Sequence, residues 1–379
     1  MAKITKNIPL AIATVALGII VGFSSLLVSV ALDLTEKLFL HFQETNLIPV
    51  DISAGGMRRF TSVLIGGIIA AIIWYLLQRH YKPVKLGKAV AGQHMPLIKT
   101  MIHVYTQIFF VGTGNSIGRE LAPREAGAAL AQKWADHFHD NKFLDLDAED
   151  RRMIIAAAAG AGFAGVYIAP ITGAVFCMEL LYKKINARVI AISLTMSVIA
   201  TLIGSIVKGY QPYYLVGSKS FSLQILPLAF FLGLVCGFLG TLFKKYIGLA
   251  QMAMNTTGHS RTVILVLLFG LVAKVLVTLF VMKCGGYGGV LTPSIAVGAV
   301  IGAFAGMVYV SLVPGVTMAQ AAVLGAAFLL AASQQAPLMA MFMLFEVCHL
   351  NFSAFLPLAM GVAISIALSK WLQTKTFFA

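Results

Sequence analysis

The chain has 379 residues, 59% of them hydrophobic and only 11% charged, with a mean hydropathy of +0.89. That composition belongs to a polytopic membrane protein and leaves no polar stretch long enough for a separate soluble domain. The net charge of +14 does not indicate nucleic acid, because its basic residues sit between apolar runs and form no single solvated face. Lys3 and Lys6, Arg58-Arg59, Arg79 to Lys88, Arg151-Arg152, Lys183-Lys184 and Lys244-Lys245 are such clusters. Flanking charge of this kind orients helices and meets anionic lipid headgroups. It also draws anions toward a pore mouth.

In chain order, the apolar pattern predicts membrane segments at 8–32, 60–77, 98–117, 124–135, 152–182, 189–208, 225–249, 262–282, 293–311, 318–332, 338–349 and 354–373. The first is too long for a cleaved signal and lacks a small-residue cleavage site, so it reads as a membrane helix. No soluble regulatory domain is expected after the last. Several segments are shorter than the ~20 helical residues that cross a bilayer core. Short segments broken by Gly and Pro, in matching positions of two halves, point to a transporter site near the membrane midplane. The stretch from Asp136 to Arg152 holds six of the 14 acidic residues and reads as a solvated loop.

The halves match. Ala169-Pro170 opens a run closed by Glu179, and Ala336-Pro337 opens one closed by Glu346, at an offset of 167. Pro123 and Pro293 are 170 residues apart, and Gly18 and Gly22 find counterparts in Gly233 and Gly237 at an offset of 215. Three ordered matches predict an all-α integral membrane protein made of an inverted-topology repeat. Residues 1–217 form the first half and 218–379 the second, with short broken helices meeting at a central site.

Two segments carry the chemistry. One is the charged island Gly118-Arg119-Glu120-Leu121-Ala122-Pro123-Arg124-Glu125; the other is Gly289-Val290-Leu291-Thr292-Pro293. A carboxylate within membrane-length apolar sequence is costly, which makes it a functional-site candidate. Breaking a helix inside the membrane frees N–H groups that protein, water or ligand must satisfy. A helix starting near Pro123 or Pro293 presents such donors with the positive end of its dipole, a cradle for an anion. Deprotonated Glu120 would compete for those donors and protonated Glu120 would leave them, which links anion passage to protons. The alternative is an ion pair of Glu120 with Arg119 or Arg124 in a loop. Glu179 has Lys183 and Lys184 close behind it, so a helix-end ion pair is the first reading there; Glu346 stands near His349 with the same ambiguity. Cys177, Cys236, Cys284 and Cys348 stand singly in apolar context and read as packing residues. His80, His94 and His103 are scattered without metal spacing. No nucleotide loop occurs, and no nucleophile–base pair suggests an intramembrane enzyme.

At these residues the chain resembles the CLC family of chloride channels and chloride/proton antiporters, from the first span to the last. Gly118-Arg119-Glu120 resembles the family's gating-glutamate motif, which implies Glu120 as gate and proton acceptor, with Ala122, Pro123 and Arg124 at the helix start. Gly289-Val290-Leu291-Thr292-Pro293 resembles its Gly-x-Phe-x-Pro anion loop, which implies anion contact at the Val290 and Leu291 amides. Ala169-Pro170 through Glu179 and Ala331-Ala332-Ser333 through Glu346 resemble two further signatures. The chain also departs from the family. Proline follows the gating glutamate by three positions, one more than the pattern, and Leu291 replaces Phe. The first anion loop falls at Arg79-His80-Tyr81-Lys82-Pro83 without its serine, leaving His80 or Tyr81 there. The family's central tyrosine aligns with Phe378, which lacks the hydroxyl donor. Its internal proton-transfer glutamate falls at Leu180, beside Glu179. A bacterial fluoride/proton subgroup departs at the same donors but has a different gate motif.

The resemblance implies a multi-pass protein of a bacterial inner membrane, a homodimer without cofactor or metal, carrying chloride or a related anion such as fluoride against protons. Passive anion conduction is the alternative, and a non-transporting scaffold on the same fold is a third reading.

Overall fold

The computed structural model describes residues 8–42, 54–79, 81–141, 143–256 and 288–374. The chain divides into two compact units: Met1–Asn115 with Arg119–Tyr213, and Ser116–Gly118 with Tyr214–Ala379. Among the described residues both are helical, and strand-like pairing is confined to one isolated bridge.

In the first unit α1 runs Ile8–Leu40, α2 Gly56–Gln78, α3 Leu86–Val90, α4 Leu97–Gly112, α5 Leu121–His137, α6 Ala148–Tyr167, α7 Pro170–Phe176 and α8 Ala187–Lys208. Helix α1 buries Leu10, Ala13, Leu17, Val21, Val28 and Leu32, while Ile12, Ile19, Phe23 and Leu27 lie exposed on its other side. An exposed apolar face of that width suits lipid, not water. Six described helices are long and apolar enough to cross a membrane: Ile8–Leu40, Gly56–Gln78, Ala187–Lys208, Leu223–Ile247, Leu291–Leu312 and Phe352–Gln373. The predicted segment 262–282 lies outside the described residues.

Helix α6 is the strut of this unit, with every residue from Met153 to Tyr167 buried. Its alanines and glycines let neighbouring backbones touch, the usual way membrane helices gain packing. The single run predicted for 152–182 is in fact two helices. Ile168 turns left-handed at φ 55°, and Pro170 starts α7 where its missing N–H is not needed. Beyond Phe176 the helix widens into a π turn, Cys177–Tyr182, which a left-handed Lys183 ends. Just beyond it, Lys184 Nζ meets Glu149 at 2.9 Å. The stretch expected as a solvated loop is also only partly one. Asp147 caps α6 by accepting from the Asp150 N–H, and the buried Asp150 carboxylate pairs with Arg188 of α8 at 2.9 Å.

The second unit contains α9 (Leu226–Thr256), α10 (Leu291–Leu312), α11 (Met318–Gln334), α12 (Pro337–Val347) and α13 (Phe355–Gln373). It repeats the local grammar of the first. Gln335 turns left-handed at φ 57° after α11, as Ile168 does after α6, and Ala336 (φ −130°, ψ 82°) precedes α12 as Ala169 (φ −131°, ψ 75°) precedes α7. Gly18 and Gly22 of α1 face α8, and Gly233 and Gly237 of α9 face α13. The paired sequence motifs thus mark the same turns and close approaches in each unit.

Helix α11 opens with a reciprocal cap: the Thr317 hydroxyl accepts from the Gln320 N–H, and the Gln320 side chain accepts from the Thr317 N–H. Thr317→Ala is expected to lower stability by about 1 kcal/mol, read as a lower melting temperature of the purified protein in detergent.

Candidate functional site

Two helix starts carry the candidate residues, and a backbone bridge anchors the approach to the first. Gly118 N–H donates to the Gly289 carbonyl at 2.8 Å, and Gly289 N–H donates back to Gly118 at 2.7 Å. Packing beside the bridge is tight: a Cβ on Gly288 would lie 2.6 Å from the Ile117 side chain. Membrane-buried backbone must find partners within the protein, and here two glycines supply them to each other.

The chain then enters α5. The helix starts at Leu121, two residues earlier than the prolines suggest, with Glu120 as its N-cap. Helix α10 likewise starts at Leu291, with Val290 as N-cap. Both prolines therefore occupy the third helical position, inside the first turn where proline is tolerated. First-turn N–H groups have no intrahelical carbonyl to bond. In α5 those are on Leu121 and Ala122, since Pro123 has none.

Glu120 is fully buried, with 0% exposure, and its side chain does not cap its own helix. The flanking arginines both lie against aromatic rings. Arg124 donates through Nε to the Glu120 carbonyl, and its guanidinium lies 4.9 Å from the Phe176 ring centroid and 5.5 Å from that of Phe163. Arg119 lies over Tyr213 at 5.0 Å and Tyr167 at 5.8 Å. Both arrangements are cation–π contacts that hold a positive charge beside the helix start.

At α10, Ser294 fixes the N-cap by donating both its N–H (3.1 Å) and its hydroxyl (2.8 Å) to the Val290 carbonyl. Ser333 of α11 donates in turn to the Ser294 hydroxyl at 3.0 Å. Leu291 is buried while Val290 and Thr292 are partly accessible.

Of the remaining candidates, Tyr81 is buried, its N–H donating to the Leu77 carbonyl and its hydroxyl 3.1 Å from the Thr100 hydroxyl. Glu179 lies half-buried in the π turn. His80, Phe378 and Cys284 lie outside the described residues. Cys177, Cys236 and Cys348 are buried and unpaired, as packing residues would be. Among the described residues no cluster of His, Cys, Asp and Glu could hold a metal.

Sequence reading missed one constellation. Trp74 of α2 donates through its indole N–H to His103 Nδ1 at 3.1 Å. His103 Nε2 lies 3.6 Å from Glu125 Oε2, and Gln107 donates to the same oxygen at 2.6 Å. The available signal was the four-residue spacing of His103 and Gln107, which puts both on one face of α4.

The chain matches the family described as "Voltage gated chloride channel" over residues 66–259 and 245–370. It is 25% identical over 399 residues to the voltage-gated ClC-type chloride channel ClcB of Yersinia pseudotuberculosis, covering 89% of this chain and 91% of that one. It is 24% identical over 370 residues to the H(+)/Cl(−) exchange transporter ClcA of Cronobacter sakazakii, covering 82% and 77%. The fold superimposes on a slow cyanobacterial Cl−/H+ antiporter with a TM-score of 0.78 at 18% identity, covering 98% of this chain and 96% of that one. With the family matched along most of its length and the all-helical membrane fold shared end to end, the chain belongs to the voltage gated chloride channel family.

Proposed function

We propose that this protein carries a small inorganic anion, chloride or a related halide such as fluoride, across a bacterial inner membrane in exchange for protons. The observation that carries the reading is Glu120: a fully buried carboxyl at the start of α5, beside first-turn amides and two aromatic-held arginines. As a carboxylate it would compete with an anion for the donors at that helix start. Protonated, it loses its charge and its claim on them, and an anion takes its place. One proton taken up thus corresponds to one state of the anion path.

The amides of Ala122, Val290, Leu291 and Thr292 are the proposed anion donors, with Gly118, Gly289 and Pro123 shaping the backbone there. Arg119 and Arg124 supply the field that attracts the ion. Tyr81 lines the inner path, its hydroxyl already engaged by Thr100. Glu179 is the further carboxyl proposed for the proton route. The broad exposed apolar faces meet lipid, and two copies of the chain assemble as a homodimer.

Purified protein in liposomes, with anion efflux and proton movement recorded together, tests the reading. A chloride or fluoride gradient should drive protons uphill at a fixed ratio. Anion flux without proton movement would make the protein a passive channel, and no flux of any small anion would overturn transport itself.

A further inference from the structure

The buried constellation on α2, α4 and α5 is unused by this mechanism, and its chemistry is specific. Indole N–H is donor only, so Trp74 requires His103 Nδ1 to be an acceptor. The neutral ring therefore carries its proton on Nε2, which faces Glu125 Oε2. Protonating Nδ1 would break the Trp74 bond. His103 thus stays neutral, and the group in the cluster able to change charge is Glu125.

The groups facing Glu125 are few. Helix α4 offers His103 and Gln107, both buried, while its Lys99 and Tyr105 are exposed. Helix α1 carries no ionisable residue between Ile8 and Leu32, and α6 carries none but Tyr167 between Met153 and its end. Helix α3 carries Lys88, which is exposed, and meets α5 at Gln132, about two turns beyond Glu125. On α5 itself the neighbouring charge is Arg124, whose guanidinium interacts electrostatically with both Glu120 and Glu125.

We propose that Glu125 is a second proton-holding carboxyl of the transport cycle, positioned by His103 and Gln107 and alternating with Glu120 through the shared cation Arg124. The proposal rests on the proton-antiport reading. Gln107 occupies Oε2, so the proton enters and leaves at Oε1, interconverting carboxylate and neutral acid. When Glu120 is ionised, Arg124 is engaged there and Glu125 favours the acid form. When Glu120 is protonated, Arg124 supports the Glu125 carboxylate instead. Five residues of α5 separate them, roughly 7.5 Å of helix rise, a span that water can bridge as proton carrier.

The test combines two readouts on reconstituted protein. In a pH titration followed by infrared carboxyl absorption, Glu125→Gln should lose one protonating carboxyl signal. In the flux assay, Glu125→Gln should keep anion movement while proton coupling falls about tenfold, and Glu125→Asp should restore part of it. Trp74→Phe keeps the ring but releases Nδ1, so His103 can charge beside Glu125; the acidic limb of coupled flux should then move to lower pH. An unchanged infrared titration, or an unchanged proton-to-anion ratio in Glu125→Gln, would overturn the proposal. Should the unaltered protein move no anion, the antiport reading fails, and the infrared titration still decides whether Glu125 takes up a proton.

Discussion

Glu120→Gln is expected to sever proton movement from anion movement. Glutamine has the shape of the protonated acid and cannot ionise, so the variant mimics the state in which the helix-start donors are released to the anion. Anion efflux should persist, while proton transport driven by an anion gradient falls by about 100-fold, within the range that one positioned acid–base group contributes. The variant should remain folded, because it replaces a potentially charged group in a site with 0% exposure by a neutral one of equal size. Glu120→Ala should share the loss of coupling. A proton-to-anion ratio unaltered by Glu120→Gln would remove this residue from the mechanism, whatever happened to the rate.

The case for Glu120 was legible in sequence because it is local: a carboxylate, two arginines and helix breakers within eight residues of otherwise apolar chain. The repeat was legible for the same reason, since Ala-Pro after a left-handed residue is a short signal that recurs at Ala169 and Ala336. Less visible were features that depend on backbone geometry over several residues. Proline marks the first helical turn and not its first residue, so both helix starts lie two residues before the position that proline suggests. The π turn at Cys177–Tyr182 has no compositional signature, and the Lys184–Glu149 pair joins residues 35 positions apart.

Harder still to read was the Trp74–His103–Glu125 contact, whose members come from three helices and which in sequence are one indole, one scattered histidine and the tail of a charged island. The backbone bridge between Gly118 and Gly289 belongs to the same class: two loop glycines 171 positions apart give no pairing signal until the fold brings them together. Sequence thus shows which groups lie together along the chain and misses which groups packing assembles.

Packing also controls the site from behind. A Cβ on Gly162 of α6 would stand 2.1 Å from the Pro123 carbonyl oxygen, and the Gly162 carbonyl accepts from the Ser25 hydroxyl at 3.0 Å. The residue is pinned on both sides, so neither helix can yield without disturbing another contact. Gly162→Ala must therefore push the first turn of α5 outward by more than about 1 Å to reach ordinary separation, at a cost of about 1–3 kcal/mol. Because that turn presents the amides beside Glu120, a displacement of this size is expected to lower anion flux by about 100-fold. Gly127→Ala makes the informative comparison. Its Cβ would stand 2.2 Å from the Ala158 carbonyl, an equal clash between the same two helices but farther along α5. It should cost similar thermal stability and much less flux. Gly67→Ala, on α2 with nothing within 4 Å, should change neither. If Gly162→Ala and Gly127→Ala lost flux equally at equal melting temperature, the position of the α5 first turn would not be what sets the rate.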